Sequence, residues 1–510
     1  MTLEPTYQAF ESQYAAGRAQ VVWTRLIDDL ETPVSAFLKI AHGRPYAFLF
    51  ESVEGGAWRG RYSIIVMAPD LVWRCRGDIA EIAEGGAITR GEFSAQPGGA
   101  LDSLRDLVAR TRLDLPAGLP PMAAGLFGAL GYDMVRLAER LPNVNGDPLG
   151  LPDAVMIRPA IVAIFDAIAQ EIILVTTARP DGATARAAYA GARGRLEAVI
   201  AGLGRPLPTS RAPGVPRVNN LTSPTSRAAY GTMVERAKAY IRAGDIFQVV
   251  PSHRFSGPFS LDPFALYRSL RRTNPSPFLY YLNFPDFCLV GSSPEILVRL
   301  RDGKITIRPI AGTRPRGANP TEDAALEAEL LADEKERAEH LMLLDLGRND
   351  VGRVAMLREA GRNDPRAPAG RAAVRVTESF VVERFSHVMH IVSNVEGDAP
   401  EGLDPVDVLM AALPAGTLSG APKVRAMQII DELENVKRGI AYAGAVGYFG
   451  ADGSVDTCIV LRTGLIKDGV LHAQAGGGVV ADSDPDAEYE ETLHKVAALR
   501  RAAEEAWQFA

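Results

Sequence analysis

The chain has 510 residues, of which 47% are hydrophobic and 23% are charged, and these are ordinary values for a soluble globular protein. The formal net charge of −7 gives no electrostatic reason to expect a nucleic acid or an anionic membrane as a partner. The three cysteines, Cys75, Cys288 and Cys458, are far apart in the sequence and lack CxxC spacing. We therefore expect neither a disulfide framework nor a zinc site, and we predict a cytoplasmic protein without a signal peptide.

The part of the chain before residue 205 carries both strand and helix patterns. Strands are predicted at residues 45–50, 61–67, 71–75, 125–132, 161–165 and 171–176. Helices are predicted at residues 101–112 and 184–203, and Pro69-Asp70 is predicted to form a turn. The apolar region from Val155 to Val175 is interrupted by three charged side chains, so it favours paired strands over a membrane span.

A proline-rich stretch divides the chain. Residues 205–227 contain five prolines with several Ser, Thr and Asn residues, which is typical of a linker. After it we predict a helix at 228–243, a polar surface loop at 358–373, and strands at 245–250, 287–290, 295–300, 304–308, 445–449, 455–462 and 470–474. Asp-Gly pairs between several strands indicate hairpins. We therefore predict an α+β fold with antiparallel sheets, divided into an N-terminal domain (1–204), a linker (205–227) and a C-terminal domain (228–510).

Two pairs of glutamates with helical spacing are the first candidates for a functional site. Glu336 and Glu339 are three residues apart in a predicted helix over 333–345, so they share one face of it. Glu488 and Glu491 repeat this spacing far downstream, with a lysine one turn later. Such pairs are most often solvent-exposed, salt-bridged helix faces. Four carboxylates that converged from two helices would instead suit a hard cation such as Mg²⁺.

The part of the chain after the linker contains a series of ordered motifs, at residues 244–252, 274–278, 291–297, 308–314, 333–350, 385–390, 413–423 and 475–491. Among them are Gly291-Ser-Ser-Pro-Glu-Ile-Leu297 and Leu413-Pro-Ala-Gly-Thr-Leu-Ser-Gly-Ala-Pro-Lys423. These motifs resemble those of the chorismate-utilising enzymes, most closely the anthranilate-forming branch. Residues 48–56 and 60–65 are similar to the regulatory segment of that family. The resemblance implies antiparallel sheets packed as a sandwich with helices outside, and an N-terminal regulatory region interlocked with the catalytic region.

The resemblance also implies a reaction. It points to a lyase that converts chorismate and ammonia into anthranilate and pyruvate, the first committed step of tryptophan biosynthesis. Ammonia adds at C2 of the ring, the C4 hydroxyl leaves, and pyruvate is eliminated. Mg²⁺ held by the two glutamate pairs is expected as the cofactor, because a Lewis acid on the ring carboxylate draws electron density from the diene.

Single residues match catalytic positions of this family. Glu295 matches the general acid that protonates the departing hydroxyl, a role that requires a raised pKa. Thr417 matches a hydroxyl that contacts the ring carboxylate, and His390 matches a histidine that serves pyruvate elimination. Two other histidines compete with His390: we expect His340 to support the site and His387 to be structural.

The enolpyruvyl carboxylate of chorismate is expected to meet cationic side chains, a hydroxyl and glycine N–H groups: Tyr442, Arg462, Gly476, Gly478 and Lys495. Two further positions separate related activities. Relatives that add water have a lysine base where this chain has Gln248, which cannot take a proton from water at neutral pH. Relatives that form aminodeoxychorismate have a nucleophilic lysine where this chain has Ala311. Gln248 thus disfavours water addition and Ala311 disfavours aminodeoxychorismate synthesis, and together they favour anthranilate formation. The intact residue set argues against an inactive tryptophan-sensing subunit.

Regulation and partners complete what the resemblance implies. Glu51 and Ser52 are expected to form a tryptophan pocket with Pro277, Leu279 and Tyr280. There Ser52 would hydrogen-bond the ligand and Glu51 would offset its ammonium charge, so that tryptophan acts as a feedback inhibitor. The cysteines show no glutaminase motif. We therefore expect ammonia to come from glutamine through a separate amidotransferase small subunit, in a hetero-oligomer.

Overall fold

A computed structural model describes residues 1–51, 60–142, 145–208, 220–356, 374–384 and 388–510. Its helices are α1 (Tyr7–Ala15), α2 (Pro33–Ile40), α3 (Gly86–Arg90), α4 (Ala100–Thr111), α5 (Ala185–Leu203), α6 (Arg227–Arg242), α7 (Pro263–Thr273), α8 (Pro320–Ala332), α9 (Glu334–Met356), α10 (Pro405–Ala412), α11 (Lys423–Leu433) and α12 (Pro485–Glu505). Several begin at a capping side chain, as α5 does at Thr184 and α6 at Ser226. Each cap accepts a hydrogen bond from the first helical turn, so local sequence sets where these helices start.

The strands form one large sheet and one small one. They are β1 (Gln20–Ile27), β2 (Ala47–Glu51), β3 (Tyr62–Arg76), β4 (Ile79–Glu84), β5 (Ser94–Ala95), β6 (Gly125–Leu130), β7 (Ala154–Asp166), β8 (Glu171–Ala178), β9 (Gln248–Val249), β10 (Ser252–Pro258), β11 (Phe278–Asn283), β12 (Cys288–Ser293), β13 (Ile296–Arg301), β14 (Lys304–Ile307), β15 (Ile310–Pro315), β16 (Arg375–Arg384), β17 (Val388–Asp398), β18 (Gly420–Ala421), β19 (Ala445–Gly450), β20 (Val455–Ile459), β21 (Thr463–Lys467) and β22 (Val470–Gly476). A continuous antiparallel ladder runs β10–β22–β21–β12–β11–β2–β3–β7–β6–β19–β20–β13–β14–β17. Strands β9 and β18 pair separately.

The sheet is covered on both faces. On β11, Leu279 packs in a cluster with side chains of α1, α2, α5, α7 and α12, whereas Tyr280 packs in a cluster of strand and loop residues. Successive strand residues point to opposite faces. One face of the sheet therefore packs against helices, and the other packs against strands from elsewhere in the same sheet. This arrangement confirms the predicted α+β fold with antiparallel sheets packed as a sandwich and helices outside.

Strands from both sides of the predicted linker share the large sheet, because β2 pairs with β11 and β6 pairs with β19. The glycine-rich strand β6 allows backbones to approach closely, as predicted. A Cβ at Gly128 would come within 2.0 Å of the Val155 carbonyl oxygen. The N-terminal region is therefore interlocked with the C-terminal region, and a domain boundary at 205–227 stays a prediction.

Some predicted elements differ in the structure. The predicted turn at Pro69–Asp70 is instead a bulge in β3, where the register against β7 shifts between Pro69 and Leu71. A bulge accommodates a proline, which has no N–H for the ladder, without ending the strand. The strand predicted at 245–250 shrinks to β9, and the one predicted at 455–462 ends at Ile459.

The two glutamate-bearing helices pack against strands of the large sheet. Helix α9 is longer than predicted and packs on β15 and β17, whereas α12 packs on β22 and α6. The loop predicted at 358–373 lies outside the described residues. In the part of the chain that the structure describes, no helix is long and apolar enough to cross a membrane.

Candidate active site

The two glutamate pairs lie on two helices, Glu336 and Glu339 on α9, and Glu488 and Glu491 on α12. Their charges act on one another. The pKa of Glu339 is raised by burial and by the negative charges of Glu336 and Glu491. The pKa of Glu488 is raised mainly by burial and also by Glu491. The carboxylates of the two helices are thus close enough to repel one another.

Two of these carboxylates already have cationic partners. Glu336 pairs with Arg314 at 3.3 Å, and Glu491 pairs with Lys495 at 2.6 Å. Within the described ranges, no three His, Cys, Asp or Glu side chains converge as a metal-holding group. Glu336 and Glu491 would therefore have to leave their ion pairs to bind a cation directly.

Glu488 and Glu339 have the features that a cation would stabilise. Oε2 of Glu488 is buried without a hydrogen-bond partner, and a Cβ at Gly477 would come within 2.5 Å of it. The charge on Glu339 is destabilised by burial and by its neighbours. Unpaired, crowded carboxylate oxygens are the donors that Mg²⁺ prefers, so these residues fit the predicted metal.

Glu295 follows β12 and is only 8% exposed. Thr417 Oγ1 donates a hydrogen bond of 3.3 Å to its Oε2. Burial raises the pKa of Glu295 to about 8, although the hydrogen bond from Thr417 and the positive charge of Arg462 oppose the shift. The carboxyl is therefore protonated at neutral pH, as the predicted general acid requires.

His390 lies on β17 opposite Thr313 of β15. Its Nδ1 is 2.9 Å from the carbonyl oxygen of Gly312 and 3.0 Å from Oγ1 of Thr313. Because a carbonyl only accepts, Nδ1 carries the proton and Nε2 is the acceptor nitrogen. Burial lowers the pKa of His390 to about 4, so the ring is neutral at physiological pH.

A bulge in β15, which the strand predictions do not include, presents Gly312 to His390. The register of β15 against β17 shifts between Ala311 and Thr313, and Gly312 has φ 69°. A glycine inside a strand pattern is the signal for such a bulge.

Arg462 is close enough to affect the pKa of both Glu295 and His390. It has the left-handed φ of 48°, which is uncommon for a non-glycine residue, in the connection between β20 and β21. Its positive charge acts on both Glu295 and His390. The predicted residues Glu295, Thr417, His390 and Arg462 therefore lie together.

The remaining predicted residues surround the glycine stretch after β22. Lys495 Nζ donates a hydrogen bond to the carbonyl oxygen of Gly476 at 2.8 Å. The Tyr442 hydroxyl is also hydrogen-bonded to the Gly476 backbone. Oε1 of Gln248 is buried without a partner. A Cβ at Gly478 would come within 2.6 Å of Gln248 Nε2, so this close contact requires a glycine.

The predicted tryptophan segments meet at the end of β2. Glu51 is 4% exposed and lies opposite Leu279 on β11. Its carboxylate accepts hydrogen bonds from Nε of Arg271 at 2.9 Å, from Nη2 of Arg271 at 3.1 Å and from the Tyr267 hydroxyl. Arg271 and Tyr267 are not among the predicted residues; they lie one helical turn apart on α7, just before residue 274. The charge that was expected to offset an ammonium group is therefore already paired.

The other predicted tryptophan contacts are divided between two faces of the sheet. Tyr280 points away from Leu279, and its hydroxyl is 2.5 Å from Oγ1 of Thr463. A ligand beside Glu51 would therefore meet Leu279 and not Tyr280. Pro277 is buried just before β11, and Ser52 lies outside the described residues.

Of the two competing histidines, the structure describes His340, which contacts the sheet. His340 is fully buried, and its Nε2 is 2.6 Å from Oγ of Ser393 on β17. This contact joins α9 to the sheet behind the glutamates, in keeping with the expected supporting role. His387 lies outside the described residues.

Comparison with known sequences identifies close relatives. Residues 72–501 match the family model described as chorismate binding enzyme. The chain is 56% identical to anthranilate synthase component 1 of Cereibacter sphaeroides over 507 residues, which cover 99% of this chain and 98% of the relative. It is 48% identical to anthranilate synthase component 1 of Pseudomonas aeruginosa over 481 residues, which cover 93% of each chain.

Comparison with solved structures also finds enzymes that resemble this chain over nearly its whole length. Anthranilate synthase component I from Streptococcus pneumoniae has a TM-score of 0.74 and 33% identity, covering 93% of this chain and 98% of that chain. MenF, the menaquinone-specific isochorismate synthase from Escherichia coli, has a TM-score of 0.68 over 97% of this chain and 99% of that chain. Its identity of 18% shows a shared fold alone.

Proposed function

The chain belongs to the family of chorismate binding enzymes, and we propose that it converts chorismate and ammonia into anthranilate, pyruvate and water. The observation that carries this proposal is a buried, protonated carboxyl at Glu295 close to the guanidinium of Arg462 and the neutral ring of His390. Gln248 and Ala311 support it, because related activities require lysines at these two positions.

The first half of the reaction needs an acid at C4. Ammonia attacks C2, the double bonds of the ring shift, and the C4 oxygen leaves as water after taking a proton. Glu295 supplies this proton, because its pKa of about 8 keeps it protonated at neutral pH. Thr417 orients the carboxyl through its hydrogen bond. The proton that the attacking nitrogen loses restores the acid, so the step balances.

The second half eliminates pyruvate. The proton on C2 leaves, the C–O bond of the ether breaks, and the enolpyruvyl group gains a proton to become pyruvate. His390 is suited to take the C2 proton, because Nδ1–H donates to Gly312 and Nε2 is then the basic nitrogen. Aromatisation of the ring drives this step, and Arg462 balances the carboxylate that departs with pyruvate.

A divalent cation fits the carboxylates of α9 and α12. Glu339 and Glu488 would hold Mg²⁺ with the other two glutamates, directly or through water, and both are destabilised as charged groups without it. When bound, Mg²⁺ would withdraw electron density from the ring carboxylate.

The nitrogen source is proposed to be a partner subunit that hydrolyses glutamine. A glutaminase needs an activated thiolate. Burial raises the pKa of Cys75 to about 12 and that of Cys288 to about 11, and burial also raises the pKa of Cys458. None of these thiols is therefore suited to attack glutamine, whereas free ammonia should reach the site of the single chain.

Tryptophan is proposed as a feedback inhibitor that binds between β2 and the segment before β11. Glu51 and Leu279 lie opposite each other there, one on the N-terminal and one on the C-terminal side of the linker. A ligand that contacts both could favour a less active arrangement of the two regions, provided that it binds this arrangement more tightly.

A purified-chain assay tests the proposed activity. Chorismate, Mg²⁺ and ammonium at alkaline pH should yield fluorescent anthranilate and an equal amount of pyruvate. Glutamine should replace ammonium only after an amidotransferase subunit is added. Accumulation of isochorismate or aminodeoxychorismate, or no reaction of chorismate, would contradict the proposal.

A further inference from the structure

A buried ion pair lies behind the candidate active site and has no role in the proposed chemistry. Arg438 is 2% exposed and Glu434 is 5% exposed. Nε of Arg438 is 3.0 Å from Oε2 of Glu434, and Nη2 is 2.5 Å from Oε1. Both carboxylate oxygens are therefore engaged by the planar guanidinium, which is the strong form of an arginine–carboxylate contact.

The other donors of Arg438 reach two loops of the site. Nη1 donates to the carbonyl oxygen of Leu418 at 2.6 Å, and Nη2 donates to that of Val250 at 2.7 Å. Leu418 directly follows Thr417, and Val250 lies two residues after Gln248. One guanidinium thus fixes the backbones that carry Thr417 and Gln248.

Arg438 also contacts two tyrosine rings, one of which belongs to a predicted site residue, Tyr442. Its guanidinium carbon lies 5.2 Å from the ring centre of Tyr442 and 4.9 Å from that of Tyr132. Such cation–π contacts orient a ring as well as stabilise it. The Tyr442 hydroxyl is hydrogen-bonded to the Gly476 backbone. By holding the Tyr442 ring, Arg438 therefore helps to orient this hydroxyl toward Gly476.

Glu434 extends the network to the glycine stretch. Its Oε1 accepts hydrogen bonds from the backbone N–H and the hydroxyl of Ser252, both at 2.8 Å. The Ser252 hydroxyl accepts one from Gln474 Nε2 at 2.8 Å. Ser252 lies opposite Gly476 in the pairing of β10 with β22. Glu434 therefore fixes the strand end from which the glycines follow.

We propose that Arg438 and Glu434 are positioning residues for chorismate turnover, which hold the segments of Gln248, Thr417 and Tyr442 in one geometry. This inference rests on the proposed function of the site. Buried ion pairs contribute little net stability compared with apolar side chains of similar size. Here Arg438 donates to the segments that carry Thr417 and Gln248, and Glu434 accepts from the strand end next to the glycine stretch, which indicates geometry as the role of the pair.

The substitution Arg438→Lys separates positioning from charge balance. Lysine keeps a positive charge for Glu434, but it cannot donate in a fixed plane to two separate carbonyls while it contacts both rings. We expect kcat/KM for chorismate to fall at least about tenfold, mostly through kcat, with little change in the thermal unfolding midpoint. Chorismate consumption and anthranilate formation are measured together.

The control is Arg195→Lys, which makes the same exchange away from the site. Arg195 on α5 donates to Oγ1 of Thr176 at 2.8 Å and to the carbonyl oxygen of Thr177 at 2.9 Å, and neither partner is a predicted site residue. We expect its kcat/KM to equal that of the unmodified chain. Equal losses in both variants would overturn the positioning role.

A second variant decides the question if Arg438→Lys does not fold. Glu434→Gln keeps an oxygen for Ser252 but lacks the charge that aligns Arg438, so kcat should fall severalfold in a folded protein. Chorismate consumption within twofold of the unmodified chain, in whichever variant folds, would overturn the inference alone. An unmodified chain that consumes chorismate without forming anthranilate would overturn only the proposed function. An unmodified chain that consumes no chorismate would overturn both.

Discussion

Thr417 Oγ1 lies 3.3 Å from Oε2 of Glu295 and donates a hydrogen bond to this buried carboxyl. The hydrogen bond does not lower the pKa of Glu295 to its usual range, because burial raises it to about 8. We expect kcat to fall as pH rises through about 8, since the general acid is then lost. The measurement is a pH–rate profile at a fixed concentration of free ammonia, because the unprotonated fraction of ammonia also rises with pH. A profile that stays flat above pH 8 would argue against Glu295 as the acid.

Replacing this acid should have opposite effects on activity and stability. The pKa of Glu295 is about 8 in the folded chain against an ordinary value of 4.5, so the folded state binds more protons between these limits. Its stability therefore falls as pH rises from 4.5 to 8. Glu295→Gln cannot ionise, and we expect it to be more stable at pH 8 by on the order of a few kcal/mol, while turnover falls about 10²–10⁴-fold.

Denaturant unfolding at pH 5 and pH 8 measures this effect. The gain in the free energy of unfolding should appear at pH 8 and be small at pH 5. This pH lies only just above the ordinary pKa of 4.5, so keeping the folded carboxyl protonated costs little stability there. The exposed Glu401→Gln makes the same chemical change at the surface and should show no such difference. An equal stability of Glu295→Gln and the unmodified chain at both pH values would mean that Glu295 is not held protonated.

The metal prediction concerns Glu339 and Glu491, one from each helix. Glu339→Gln or Glu491→Gln should abolish Mg²⁺-dependent turnover and remove any rise in thermal midpoint caused by Mg²⁺, while the protein remains folded. The matched control is Glu490→Gln, because Glu490 lies on the same helix but pairs with Arg227 at the surface. Near-normal activity of both site variants at limiting Mg²⁺ would refute the metal assignment.

Ala311 tests the product specificity. It is 9% exposed on β15, next to Ile310, whose backbone contacts Glu295. Ala311→Lys should lower anthranilate output, because the new amine can ionise Glu295 or attack the substrate ring. Mass spectrometry would detect a covalent adduct, and Ala311→Met controls for side-chain length. Unchanged kinetics in the lysine variant would imply that residue 311 faces away from the site.

Local patterns and family motifs account for most of the fold and much of the site. Helical spacing placed Glu336 with Glu339, and strand patterns with Asp-Gly turns indicated the antiparallel sheet. The resemblance brought Glu295 and His390 together, although they are distant in sequence. These features depend on short periodicities or on motifs that can be recognised in one chain.

Features that depend on long-range register were not predictable. The faces of Leu279 and Tyr280 follow from the pairing of β11 with β2, which the sequence alone does not fix. The contact of Gly312 with His390 depends on a bulge between two strands. Arg271 reaches Glu51 only because α7 packs beside this sheet, so a charge that seemed available is paired.

Ser52→Phe remains the simplest test of the tryptophan site. Phenylalanine should fill the predicted pocket and relieve inhibition by tryptophan, with little change in chorismate turnover in its absence. Tryptophan sensitivity equal to that of the unmodified chain would place the regulatory site elsewhere.

The pairing of Glu51 with Arg271 allows a sharper test with two opposite outcomes. A tryptophan ammonium beside Glu51 must share this carboxylate with Arg271, which donates to it from both Nε and Nη2. Glu51→Gln removes the charge that would bind the ammonium, so the tryptophan concentration for half-inhibition should rise about tenfold or more. Arg271→Gln removes the competitor and should lower that concentration. Turnover without tryptophan is the control, since neither side chain belongs to the predicted catalytic set. If both variants shifted sensitivity in the same direction, Glu51 would not be the ammonium partner.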